Sequence, residues 1–201
     1  MIKAICFDMD GMVFIEPHYF TEELEVKYDI PLKDSLFSKD LAYGKCKKGE
    51  ITLNDFLTPY YKKWKKYPKF KLSIKEAKKE WFDFTQINRE VVDLAKKIKK
   101  AGMINAILTN NTRERIEYLD KKYNLSNIFI ILGSYDVGEL KPSPRFYKVF
   151  LNKVRLKPGE ILIFDDKEET IQKLHQQGFK AEIYSGIEKF KGQLKEYNVN
   201  S

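Results

Sequence analysis

Apolar and polar positions change their period twice along the chain. Residues Ile2 to Phe7 form a short apolar run that predicts a buried strand. From about Ile15 to Ile87 the apolar positions recur at helical spacing, with no strand signal between them. Helices are predicted over Phe20 to Tyr28 and Leu32 to Lys48, with Pro17 and Pro31 marking their starts. Two more carry capping boxes: Thr52 with Asp55 ahead of Phe56, Leu57, Tyr60, Tyr61 and Trp64, and Ser73 with Glu76 ahead of Ala77, Trp81, Phe82 and Phe84. Their aromatics recur at helical spacing and read as core.

Beyond Asn88 the pattern alternates. A helix capped by Asn88 places Val91, Val92, Leu94, Ala95 and Ile98 on one face and stops near Gly102. Strands are predicted over Met103–Leu108, Ile128–Leu132, Ile161–Phe164 and Lys180–Tyr184. Helices are predicted over Arg113–Tyr123, Pro144–Val154, from Asp166 to Gln177, and from Ile187 onward. Such alternation predicts βαβ units and a parallel sheet. The expected architecture is α/β, with a discontinuous core of residues 1–15 and 89–201 and an inserted all-helical cap domain over 16–88.

Composition adds limits. A chain of 201 residues, 43% hydrophobic and 33% charged, can bury a sizeable core. Its net charge of +8 comes from lysines interleaved with Glu and Asp along the predicted helices, the mark of a solvated surface, so no nucleic-acid partner is expected. No apolar run approaches the roughly 18 residues of a membrane span, and Met1-Ile2-Lys3 leads directly into a strand, so a cytoplasmic location is expected. Cys6 and Cys46 lie in dissimilar surroundings and read as free thiols in a reducing compartment.

Polar chemistry gathers at the predicted strand ends, where open parallel sheets carry their active sites. Asp8 and Asp10 follow the first strand and would project toward a common spot unless the backbone bends between them. Carboxylates that close call for a cation or a held proton. Gly11 frees the backbone to turn after them. Asp165 and Asp166 follow the apolar Ile161–Phe164, a costly place for unpaired charge. A hard cation such as Mg²⁺, taking one or two carboxylates there and one from the first cluster, would account for them. Glu16, His18 and Tyr19 sit where an inserted domain would close, and read as hinge surface.

Phe7-Asp8-Met9-Asp10-Gly11 resembles the first motif of the haloacid dehalogenase-like superfamily, most of whose members are magnesium-dependent phosphatases acting through an aspartyl-phosphate. Leu108-Thr109-Asn110 resembles its second motif, and Gly138-Glu-Leu-Lys141-Pro-Ser-Pro144 its third. Ile161 to Thr170, with Gly178 after the next helix, resembles the double-Asp form of its fourth. Leu41 to Phe56 is similar to a stretch of the helical caps inserted after the first motif.

The resemblance implies a Rossmann-like core and a cap that covers the site and selects a small phosphorylated substrate. It makes Asp8 the nucleophile and Asp10 the general acid and base. Mg²⁺ would be held by the Asp8 carboxylate, the Asp10 main-chain carbonyl and Asp166, with Asp165 and Thr170 as their outer neighbours. Thr109, Asn110 and Lys141 would bind phosphoryl oxygens. Two departures stand out: Met12 in place of a frequent Thr, and Thr170 where an Asn or Asp commonly orients the metal shell. Asp10 separates the chain from the dehalogenases, which lack the second acid. The alternatives are a phosphomutase of the same superfamily and a catalytically idle basic binding module.

Overall fold

A computed structural model describes residues 1–35 and 40–199. The chain opens with strand β1 (Ala4–Phe7) and a two-residue strand β2 (Phe14–Ile15). Helices α1 (Phe20–Tyr28), α2 (Leu32–Ser35), α3 (Leu41–Lys47), α4 (Leu53–Trp64) and α5 (Ile74–Phe84) follow, and then β3 (Gln86–Ile87). The second half comprises α6 (Arg89–Lys100), β4 (Ile104–Thr109), α7 (Arg113–Tyr123), β5 (Ile130–Gly133), α8 (Ser134–Val137) and α9 (Pro144–Val154). It ends with β6 (Ile161–Asp165), α10 (Glu168–Gln176), β7 (Lys180–Ile183) and α11 (Ile187–Glu196).

β1 occupies the centre of a parallel sheet ordered β5-β4-β1-β6-β7. Its side chains alternate, as a strand requires. Ile5 and Phe7 pack with Val91, Ile98, Ile116, Leu119 and Phe190 from α6, α7 and α11 on one face. Ala4 and Cys6 pack with Phe146, Phe150, Ile171 and Leu174 from α9 and α10 on the other. Both faces are covered, which is why the strands read as near-continuous apolar runs.

The helices between β2 and β3 build a core of their own from Phe20, Leu24, Leu53, Phe56, Trp64, Phe70, Trp81 and Phe82. Both predicted capping boxes form: Thr52 Oγ1 accepts from the Asp55 amide at 3.0 Å and Ser73 Oγ from the Glu76 amide at 3.2 Å, each returned by the acid. The helix expected over Leu32–Lys48 is two, α2 and α3, and its residues 36–39 lie outside the described residues. The Asp40 side chain accepts from the Ala42 amide and so starts α3 afresh. The antiparallel β2–β3 ribbon was not expected; strands of two residues are too short to show a period.

Asp83 on α5 ties this helical region to α7. Its carboxylate accepts from Tyr118 Oη and Lys122 Nζ, both at 2.6 Å, and from Lys79 Nζ at 2.6 Å. Burial alone would raise its pKa, but the hydrogen bonds from Lys122, Lys79 and Tyr118 win and hold it down to about 2. A depressed carboxylate stabilises the fold above its unfolded pKa, near 4, and that contribution fades as pH falls from about 4 toward 2. Asp83→Asn is therefore expected to cost about 1 kcal/mol at pH 7 after solvent screening. The deficit should close in denaturant melts repeated at about pH 2.

Candidate active site

The carboxyl ends of β1, β4 and β6 are adjacent by register, since Phe7 pairs with Ile107 and with Phe164. The residues that follow those pairs therefore meet at one rim of the sheet. Lys141, from the loop before α9, reaches into this rim with its side chain only 6% exposed. Its Nζ donates to Asp8 Oδ1 at 2.8 Å and to Asp165 Oδ2 at 2.9 Å. Burial would lower the Lys141 pKa, but the two carboxylates outweigh it and keep the amine protonated. One ammonium cannot neutralise two buried acids, and burial holds Asp8 above the usual carboxylate range despite Lys141.

Asp166 completes an acidic group. Asp8, Asp165 and Asp166 each offer a carboxylate oxygen, and the three lie within 4.8 Å of one another. Hard oxygens in that number suit Mg²⁺, which keeps waters in its remaining positions, so the residues present fit the ion. Both oxygens of Asp165 already accept protein hydrogen bonds, Oδ2 from Lys141 and Oδ1 from the Lys167 amide at 3.1 Å. Gly11 makes the close approach possible: its φ is +83°, and a Cβ there would stand 2.7 Å from Asp166 Oδ2.

Asp10 goes elsewhere. The backbone bends after Asp8, and Asp10 bridges to Phe14 instead of extending β1. Its carboxylate accepts from Arg115 Nη1 at 2.9 Å on Oδ2 and from Arg115 Nη2 at 2.8 Å on Oδ1. Asn111 Nδ2 donates to Oδ2 at 3.0 Å. The two aspartates of the first motif thus face different cations, and the common spot expected from strict alternation is resolved by that bend.

A cavity of about 640 Å³ opens on the rim, lined by Asp8, Asp10, Thr109, Lys141 and Asp166, with Asn110, Asp165 and Thr170 also in its wall. Thr109 is buried at the end of β4. The Asn110 side chain is committed to Lys141, accepting from its amide at 2.7 Å and donating to its carbonyl at 3.0 Å, so it shapes the lysine loop. Glu16 and Tyr19 reach the cavity mouth. His18 turns away, against Glu23 and the Phe84 ring. Burial and the neighbouring Asp10 push the Glu16 carboxyl up.

The family model for haloacid dehalogenase-like hydrolases matches residues 2–178. The chain belongs to that family. It is 26% identical to a phosphorylated carbohydrates phosphatase of Thermotoga maritima, the match covering 98% of this chain and 88% of that protein. It is 25% identical to bifunctional epoxide hydrolase 2 of Rattus norvegicus over 88% of this chain. The match takes in 35% of that relative, so the chain spans about a third of its length. Of solved structures, a HAD family enzyme from Bacteroides thetaiotaomicron superposes with a TM-score of 0.79 at 19% identity, covering 96% of this chain and 98% of that one. Its wild-type complex with magnesium and inorganic phosphate superposes at 0.77, with 19% identity and coverage of 92% and 95%.

In this haloacid dehalogenase-like chain, sequence reasoning passed over Arg115 and Asn111. Arg115 sits among Arg113, Glu114 and Glu117 on a helix that reads as charged surface, yet it is buried at 3% exposure. The available signal was its position one turn into the helix that follows the second motif. No described helix is long and apolar enough to cross a membrane.

Proposed function

We propose that this protein is a Mg²⁺-dependent phosphomonoesterase acting on a small phosphorylated metabolite through an aspartyl-phosphate on Asp8, with residues 16–88 as its cap domain. The observation that carries this reading is the meeting of Lys141, Asp8, Asp165 and Asp166 at one rim of the sheet, in a cavity that Thr109 also lines. Two of the similar proteins support it, one being a phosphatase of phosphorylated carbohydrates and one having been crystallised with magnesium and inorganic phosphate.

Asp8 Oδ1 accepts from the Met9 amide and from Lys141, which leaves Oδ2 to attack phosphorus. Lys141 and the Thr109 hydroxyl then face the phosphoryl oxygens, where a fixed cation and donor stabilise charge without reorganising. Asp10 gives a proton to the leaving oxygen and takes one from the water that hydrolyses the intermediate. Mg²⁺ would be held by Asp8, Asp166 and the Asp10 carbonyl, where it supplies positive charge to the phosphoryl group. Asp165 holds Lys141, and Thr170, buried in the first turn of α10, lines the same cavity.

The test is phosphate release from 4-nitrophenyl phosphate and a panel of sugar phosphates, with and without Mg²⁺. Release that requires the cation is expected; silence across the whole panel with Mg²⁺ present would end the proposal. Independently, Mg²⁺ at about 100 times its Kd should stabilise the fold by about 2.7 kcal/mol, a rise in Tm on the order of 5–10 °C for a chain of this size. Asp166→Ala should abolish that rise.

A further inference from the structure

Arg115 has an arrangement that a structural ion pair does not need. It is 3% exposed, while its partner Asp10 is 43% exposed and lies in the cavity wall. Among the described residues, both terminal nitrogens donate to Asp10, and the buried Nε has no hydrogen-bond partner. A buried arginine serving the fold alone would be expected to satisfy Nε before reaching into a cavity. Here both terminal nitrogens are turned to one carboxylate.

The fork fixes a plane as well as a position. A planar guanidinium bonding both oxygens aligns the carboxylate plane with its own, which a lysine could not do. Asn111 Nδ2 adds a second donor to Oδ2. Oδ2 therefore accepts two hydrogen bonds and Oδ1 one, so Oδ1 retains more capacity toward the cavity.

We infer that Arg115, assisted by Asn111, is a positioning residue that sets the Asp10 carboxyl so that Oδ1 exchanges the proton with the leaving oxygen. The inference rests on the phosphatase reading above. In the first step an Asp8 oxygen bonds to phosphorus as the ester phosphorus–oxygen bond breaks. The electron pair of that bond stays on the departing oxygen, and the proton that neutralises it leaves Oδ1 of an Asp10 that enters the step protonated from solvent and ends it as the carboxylate paired with Arg115. Arg115 touches neither phosphorus nor the leaving group and acts only through where it holds Asp10.

The test compares two esters of nearly the same shape. 4-Nitrophenyl phosphate releases a stable phenolate and needs little proton transfer, whereas 4-nitrobenzyl phosphate releases an alkoxide and needs it fully. The readout is the ratio of their kcat/KM values, a quantity that ends at departure of the alcohol and excludes hydrolysis of the intermediate. Arg115→Lys keeps the charge and loses the plane. General acid catalysis contributes about 10²–10⁴-fold, so the benzyl-to-phenyl ratio is expected to fall at least about tenfold. In an Asp10→Asn background the same substitution should move the ratio less than about twofold, because residues that act as a unit do not add.

A role in folding alone would lower both esters together and leave the ratio untouched. An unchanged ratio, or one that rises, overturns the inference. Asn111→Ala, which leaves the guanidinium in place, should shift the ratio the same way and decides the matter if Arg115→Lys does not fold. Absence of turnover of both esters by the unaltered protein would instead overturn the phosphatase reading beneath it.

Discussion

Asp8→Asn is expected to abolish phosphate release, lowering turnover by on the order of 10⁴-fold or more, because the attacking carboxylate is gone and the acids beside it have other tasks. Asp165 is occupied by Lys141 and the Lys167 amide, Asp10 is held by Arg115 and Asn111, and Asp166 is assigned to the cation. The fold should survive. An asparagine carbonyl can still accept from the Met9 amide and Lys141, the contacts Asp8 makes now. The substitution also removes one of two buried charges that a single ammonium serves. A Tm near that of the unaltered protein, alongside lost turnover, is the expected pair of results. Turnover within tenfold of the unaltered protein would place the nucleophile elsewhere.

Lys141→Met should do the opposite and damage the fold as well as the chemistry. Asp8 and Asp165 are both buried, and Lys141 is the cation between them. Removing one partner of a buried ion pair costs about 3–5 kcal/mol, since the remaining charge has neither water nor counter-charge. For a chain of this size that corresponds to a fall in Tm of roughly 6–20 °C. The sign of its pH dependence follows from Asp8. Burial already holds that carboxyl above the usual range against the pull of Lys141, so without the lysine the deficit is full at neutral pH and narrows as acid protonates it. Thermal melts at pH 7 and pH 5 would show it, and a deficit that widened on acidification would contradict the assignment.

The α/β core was readable because its strands are buried on both faces and its helices are capped by local rules. Asn88 accepts from the Val91 amide, and α7 and α9 run over the residues their periodicity indicated. The meeting of Asp8, Asp165 and Asp166 followed from strand order, since each stands at a carboxyl end of the sheet. Other features were not readable. The orientation of Asp10 depends on a bend and on Arg115, 105 residues away in sequence. Asn110 shows the same limit: its side-chain contacts with the Lys141 backbone span 31 residues of sequence. Cys46 lies in a lysine-rich stretch and is nevertheless buried in the core of the helical insertion itself, because tertiary packing decides which face of α3 turns inward.

The pairing of Phe14–Ile15 with Gln86–Ile87 has a mechanical consequence. Both connections to the helical insertion leave the core as one ribbon, so any tilt of the insertion would turn on that ribbon and against the Asp83 contacts with Tyr118 and Lys122. The ribbon begins four residues after Asp10, and the intervening turn is closed by the Gly11 amide on the Phe14 carbonyl and the Phe14 amide on the Met9 carbonyl. Tilting therefore strains the segment that carries the acid, and substitutions in the ribbon should alter the rate of catalysis together with the range of molecules admitted.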